Sequence, residues 1–152
     1  MVLRVIILLA INFTALGVGG FFTGKGVPSD WYQNLNKAPW TPPGWMFGAA
    51  WSLIMICFSI YMAYLWKALD NYKMVILLFT VQWILNVSWN PAFFYYHNAI
   101  LGLILIVSLT MVVIFFLANY WSLLRVKSLL VAPYFIWLLI ATSLNAYIIL
   151  NN

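Results

Sequence analysis

Charged residues divide the chain into long uncharged runs at 5–24, 38–66, 74–124 and 128–152. Each reaches the roughly 20 apolar residues that a helix needs to cross about 30 Å of hydrocarbon. The first run predicts a span over about 3–23. A turn-rich polar segment follows over about 24–43, holding Gly24, Gly26, Pro28, Pro39, Pro42 and Pro43. Proline is tolerated in a first helical turn, so a second helix starts at Pro43 or Gly44 and runs to about Trp66. Lys67, Asp70 and Lys73 mark a short loop. As a single helix, 74–124 would be about 77 Å long, more than twice the hydrocarbon thickness. It must fold back. Tyr95-Tyr96-His97-Asn98 divides it into spans over about 74–94 and 99–118. Residues 119–127 form the next loop, and about 128–150 makes the fifth span. The expected fold class is an all-α integral membrane protein, one domain over 1–152 with five transmembrane helices.

Composition agrees. Hydrophobic residues make up 66% and charged residues 6%, against about 45–50% and about 25% in soluble domains. A water-soluble globule is excluded. The net charge of +5 comes from seven scattered bases and two acids; without a basic cluster, nucleic acid is not an expected partner. The lone Cys57 has no partner for an internal disulfide. One histidine and one cysteine without a nearby acid make no metal site, and none is expected. Arg4 before an apolar run resembles a signal peptide. The run continues to about Phe22 without an Ala-x-Ala pattern, so a retained first span is expected. With five spans, Arg4, Lys67, Lys73, Arg125 and Lys127 share one side of the membrane, and Lys25 and Lys37 the other. The positive-inside tendency then puts the N-terminus in the cytoplasm of a bacterial cell and segment 24–43 outside.

Polar groups inside the spans carry the candidate chemistry. Gln82, Asn86, Asn90 and Phe93 are spaced four, four and three apart, so they share one face of the third span with Trp89 beside them. An amide facing lipid would leave polar groups unsatisfied at a cost of about 2–7 kcal/mol. The face therefore looks inward, either as glue between helices or as the lining of a cavity. Pro91 should kink the helix near its end. In the fifth span Tyr134, Trp137, Ala141, Leu144 and Asn145 recur near helical spacing, and Ala141 leaves room for a flat guest or for packing. Ala15 to Gly19 and Gly20 to Gly24 are small-residue pairs that permit close helix approach, internally or in a dimer. Of nine tryptophans, Trp40, Trp45, Trp66 and Trp121 suit the membrane interface, whereas Trp51, Trp89 and Trp137 lie deeper. No intramembrane carboxylate, phosphate-binding loop or nucleophile constellation is present, which argues against pumping, hydrolysis and phosphoryl transfer.

Three segments carry a family resemblance. Trp31 through Pro43 with Phe47 and Trp51, then Gln82 through Asn86 with Trp89-Asn90-Pro91 and Phe93-Phe94, then Pro133-Tyr134, Trp137, Ala141 and Leu144-Asn145 together resemble the tryptophan-rich sensory protein / translocator protein (TspO/MBR) family. The resemblance implies a compact, often homodimeric five-helix bundle in which segment 24–43 is a lid over a central pocket. It implies a membrane receptor, carrier or sensor for porphyrins such as protoporphyrin IX, or another planar hydrophobic molecule, with no cofactor required. On the matched positions, Trp31 and Tyr32 belong to the lid. Trp51, Asn86, Trp89, Asn90, Phe93, Trp137, Ala141 and Leu144 line or adjoin the pocket. Some bacterial relatives degrade protoporphyrin in light, and under that alternative Trp51 and Trp137 are the catalytic candidates. A third alternative is a structural membrane protein whose aromatics only pack. The chain departs from the family pattern at Ala38, Met55 and Asn90, and 146–152 lacks the bases of the eukaryotic cholesterol motif. Leu117, Tyr120 and Arg125 satisfy a looser form of that motif.

Overall fold

The computed structural model describes residues 1–152. It is all helix: α1 (Val2–Gly26), a short α2 (Asp30–Asn34), α3 (Gly44–Ala68), α4 (Lys73–Asn90), α5 (Ala99–Leu124) and α6 (Ala132–Asn151). Four continuous runs are long and apolar enough to cross a membrane, and the last, Ala99–Asn151, contains 53 residues. Straight, that run would measure about 80 Å. It reverses at Arg125, where φ is 49°, and passes through a 3₁₀ segment, Arg125–Val131. α5 and α6 then pack side by side, giving five crossings.

The five long helices close into a ring in the order α1, α3, α6, α5, α4. α3 and α4 are consecutive in the chain, yet α1 stands between them. Large apolar side chains such as Leu53, Ile76, Ile104 and Leu139 point outward, as expected where the outer solvent is lipid. Inside, the half of the bundle near the N-terminus is solid. Phe58 lies at its centre against Tyr61, Phe79, Phe116 and Tyr134, with ring centroids 5.4–6.2 Å apart. Some polar groups there are paired across helices, as a hydrocarbon surrounding favours, although Asn12 Oδ1 and Ser128 Oγ are buried without a partner. Asn12 Nδ2 donates to Ser59 Oγ at 2.8 Å, and Tyr61 Oη donates to the Phe116 carbonyl at 3.1 Å.

Helix limits differ from the sequence expectations where local capping decides. α1 extends to Gly26, and segment 24–43 is not all loop, because Ser29 opens α2. Its Oγ accepts from the Tyr32 amide at 3.3 Å and donates to the Gly26 carbonyl at 2.6 Å. The fourth span does not stop near residue 118, nor is 119–127 a loop; α5 runs to Leu124 because Asn119 and Tyr120 remain compatible with helix at the interface. The fifth span starts as α-helix at Ala132 rather than 128. Pro91, expected to kink the third span, begins a π-helical turn, Pro91–Tyr95, which widens the helix there.

Candidate functional site

The π turn, the end of α1 and the lid meet in the half of the bundle opposite the solid core. Close approach of α1 to α4 depends on glycine. A Cβ at Gly19 would stand 2.7 Å from Asn90 Nδ2, and one at Gly26 would enter the Phe94 ring. One turn beyond Gly19, Thr23 Oγ1 donates to Asn90 Oδ1 at 2.8 Å. Asn90 therefore joins α4 to α1. Gln82 has the same kind of role lower down, donating from Nε2 to Tyr134 Oη at 2.7 Å. Asn86 lies between them on the same face and differs. It is 6% exposed, its side-chain amide makes no hydrogen bond within the protein, and it borders a void. Of the two readings open for this face, glue describes Gln82, cavity lining describes Asn86, and Asn90 does both, since it bonds to Thr23 and also borders that void.

Two small voids occupy this half. The inner one is about 80 Å³ and lies among α1, α3 and α4, bordered by Gly19, Thr23, Trp51, Asn86 and Asn90. The outer one is about 30 Å³ and lies beneath the lid, bordered by Tyr32, Lys37, Phe93, Ala141, Leu144 and Asn145. Phe47, Trp89 and Phe94 border both and form the partition between them. Trp89 stacks on Phe93 with centroids 5.4 Å apart and planes 9° apart. Its Nε1 donates to Asn145 Oδ1 at 3.4 Å, and Asn145 Nδ2 donates to the Ala99 carbonyl at 2.8 Å. Trp137 borders neither void. It is buried behind Phe47, with centroids 5.5 Å apart, while Trp51 meets Tyr134 at 5.8 Å. Trp51 and Trp137 therefore do not flank one open cavity: each packs edge-on against a neighbouring ring, and of the two only Trp51 borders a void.

The lid is docked. Trp31 stacks on His97 at 4.3 Å and meets Phe93 edge-on at 5.4 Å. Asn36 is bonded to the end of α6: its amide donates to Asn152 Oδ1 at 2.9 Å and its Nδ2 to the Asn151 carbonyl at 3.0 Å. Trp40 Nε1 donates to Ser143 Oγ at 3.1 Å. Of the two lid-side lysines, Lys25 turns out over Phe21, whereas Lys37 borders the outer void. Lys37 Nζ donates to the Tyr32 carbonyl at 2.8 Å and lies 4.8 Å from that ring's centroid. Burial pushes the Tyr32 phenol above its ordinary value, so it stays neutral at physiological pH.

Sequence reasoning left out Thr23, Phe47, Phe94 and Asn145 as site residues. Thr23 follows Gly19 by four and Phe47 precedes Trp51 by four, so shared helix faces were the available signal.

The sequence profile of the TspO/MBR family matches residues 5–150. The "Tryptophan-rich protein TspO" of Archaeoglobus fulgidus is 35% identical over 153 residues, covering 100% of this chain and 96% of its own. "Protein CrtK" of Rhodobacter capsulatus is 34% identical over 141 residues, 91% of this chain and 88% of its own. The "Tryptophan-rich protein TspO" of Chlorobaculum tepidum is 31% identical over 149 residues, 95% and 90% respectively. With the fold, the aromatic interior and these matches along nearly its whole length, the chain belongs to the TspO/MBR family.

Proposed function

We propose that this protein is a membrane receptor or carrier for porphyrins of the protoporphyrin IX type, held between α1, α3, α4 and α6 beneath the lid. Family membership supports a membrane receptor or sensor role with an aromatic-rich core. The observation that carries the ligand class is the pair of voids walled by Trp51, Trp89, Phe47 and Phe93, with the unpaired Asn86 amide bordering the inner one. A macrocycle is driven in by burial of its faces, at about 25 cal/mol per Å². Indole stacking adds about 0.5–1.5 kcal/mol per ring. A propionate at mid-membrane is too costly, so the carboxylates point to the lid, where Lys37 is the available cation. The N-terminus lies in the cytoplasm, on the count of bases. Cysteines introduced into the lid and into 69–72 then label from opposite faces, and labelling from one face would refute the arrangement.

The test is titration of the full chain in lipid nanodiscs with protoporphyrin IX, in darkness and under light. Saturable dark binding that Trp51→Phe weakens up to about tenfold supports the receptor. Light-driven loss of porphyrin that disappears in Trp51→Phe at unchanged dark affinity would favour the degrading enzyme. Absence of saturable binding in both conditions would defeat the proposal.

A further inference from the structure

An apolar groove larger than either void lies away from this site, on the outside of the solid half. A groove of about 400 Å³ opens between α1 and α4 on the N-terminal side of the bundle, floored by Leu8, Met62, Val75 and Phe79. We propose that it holds one acyl chain of an anionic phospholipid whose phosphate sits at Arg4.

The lining decides the chemistry of the guest. Ten of the eleven bordering residues are hydrophobic, and the exception, Thr80, donates its hydroxyl to the Ile76 carbonyl at 2.9 Å. At the deep end Trp83 Nε1 donates to the Ile11 carbonyl at 3.1 Å, which bridges α4 to α1 and closes the groove. Thr80 and Trp83 thus have no donor left for a polar ligand. A hydrocarbon chain needs none. The dimensions agree: Tyr72 to Trp83 along α4 covers about 17 Å, close to half of the roughly 30 Å hydrocarbon layer. The groove is therefore one leaflet deep.

Its mouth carries positive charge. Trp66 and Tyr72 border the open end, with centroids 6.3 Å apart. The Arg4 guanidinium lies 5.4 Å from the Trp66 ring centroid. Lys67 follows Trp66 and Lys73 follows Tyr72 in sequence. Asp70 is the sole acid on this side of the bundle, and no carboxylate lies within ion-pairing distance of Arg4. A guanidinium at the interface with no carboxylate partner is a natural seat for a phosphate. A second copy of the chain fits less well. A two-fold axis along the membrane normal at this groove would set Arg4 against its own symmetry mate, and like charges there repel.

The experiment is native mass measurement of the full chain released from micelles doped equally with phosphatidylglycerol and phosphatidylcholine of the same chains. The expected result is one retained phosphatidylglycerol per chain in preference to phosphatidylcholine. Arg4→Gln should lower that preference about fivefold. Ile76→Trp, at a position 56% exposed, fills the groove and should remove both lipids while leaving the thermal midpoint unchanged. A phosphatidylglycerol with a photoreactive acyl chain should crosslink the unmodified protein within 7–11 or 62–83, which tests the site even if a variant folds poorly. Equal retention of the two lipids, insensitivity to both substitutions, or crosslinks spread around the bundle would overturn the proposal. So would loss of dimer in Ile76→Trp with lipid retention unchanged, because the groove would then seat a second copy.

Discussion

Asn86 and Asn90 occupy one face of α4 a single turn apart, and their surroundings give them different work. Asn90 accepts from Thr23 and stands over Gly19, so its amide fastens α1 to α4. Replacing it by leucine leaves the Thr23 hydroxyl unpaired and crowds Gly19. A buried donor without a partner costs about 1–3 kcal/mol, so Asn90→Leu should lower the thermal midpoint clearly. Asn86 has no protein partner to lose. Asn86→Leu should melt at or slightly above the parent temperature and bind protoporphyrin more weakly. Unfolding scans in detergent paired with dark titrations separate the two effects; equal loss of stability in both variants would refute the division. The same distinction explains how much of the site was legible. The spacing of Gln82, Asn86 and Asn90 places them on an inward face without any coordinates. Which of them is spent on a partner depends on Tyr134 and Thr23, which are 52 and 67 residues away from Gln82 and Asn90. No local pattern encodes that pairing.

Whole helices show a similar limit. The five crossings follow from charge-free runs because hydrocarbon leaves a backbone segment few other options. Their ends do not, since capping and local backbone geometry set them: Ser29 opens α2, Asn98 accepts from the Leu101 amide at 2.9 Å to open α5, and Arg125 reverses the chain. The small residues of α1 were legible as a class but not as two edges. Ala15, Gly19 and Gly26 face inward, toward α4 and the π turn, and Gly20 borders the inner void, whereas a Cβ at Gly17 or Gly24 would meet nothing within 4 Å. The outer edge is the one free to pack on a second bundle, and we propose it as the homodimer contact. Gly26→Ala should then destabilise the monomer, because the Phe94 ring must move. Gly17→Leu should leave the melting temperature alone and shift native mass toward monomer. A Gly17→Leu variant that stays dimeric at all concentrations would move the contact elsewhere.

At the scale of the whole molecule, one half of the bundle is filled and the other is closed without being filled. The half around Phe58 is packed ring on ring, and the lid, the π turn and the Phe47–Trp89–Phe94 partition surround the voids of the other. Voids of about 80 and 30 Å³ are far below the roughly 300–1,000 Å³ of pockets that enclose drug-sized ligands. A porphyrin can enter this bundle only after the partition shifts and the lid lifts from α6. Binding that waits on such a step has a recognisable kinetic form. The observed rate rises with ligand concentration at first and then levels off at the opening rate. The lid's attachment sets that plateau. Asn36→Ala removes the side-chain bond to the Asn151 carbonyl without touching the aromatic walls. A typical hydrogen bond contributes about 0.5–1.5 kcal/mol net, which corresponds to about a two- to tenfold faster plateau if the bond is broken before the barrier. Stopped-flow quenching of tryptophan fluorescence by protoporphyrin IX in nanodiscs measures both quantities. A plateau raised by Asn36→Ala identifies lid release as the gate. A rate that stays proportional to concentration, with no effect of Asn36→Ala, would mean the closed bundle already admits the ligand by another route, between helices rather than beneath the lid.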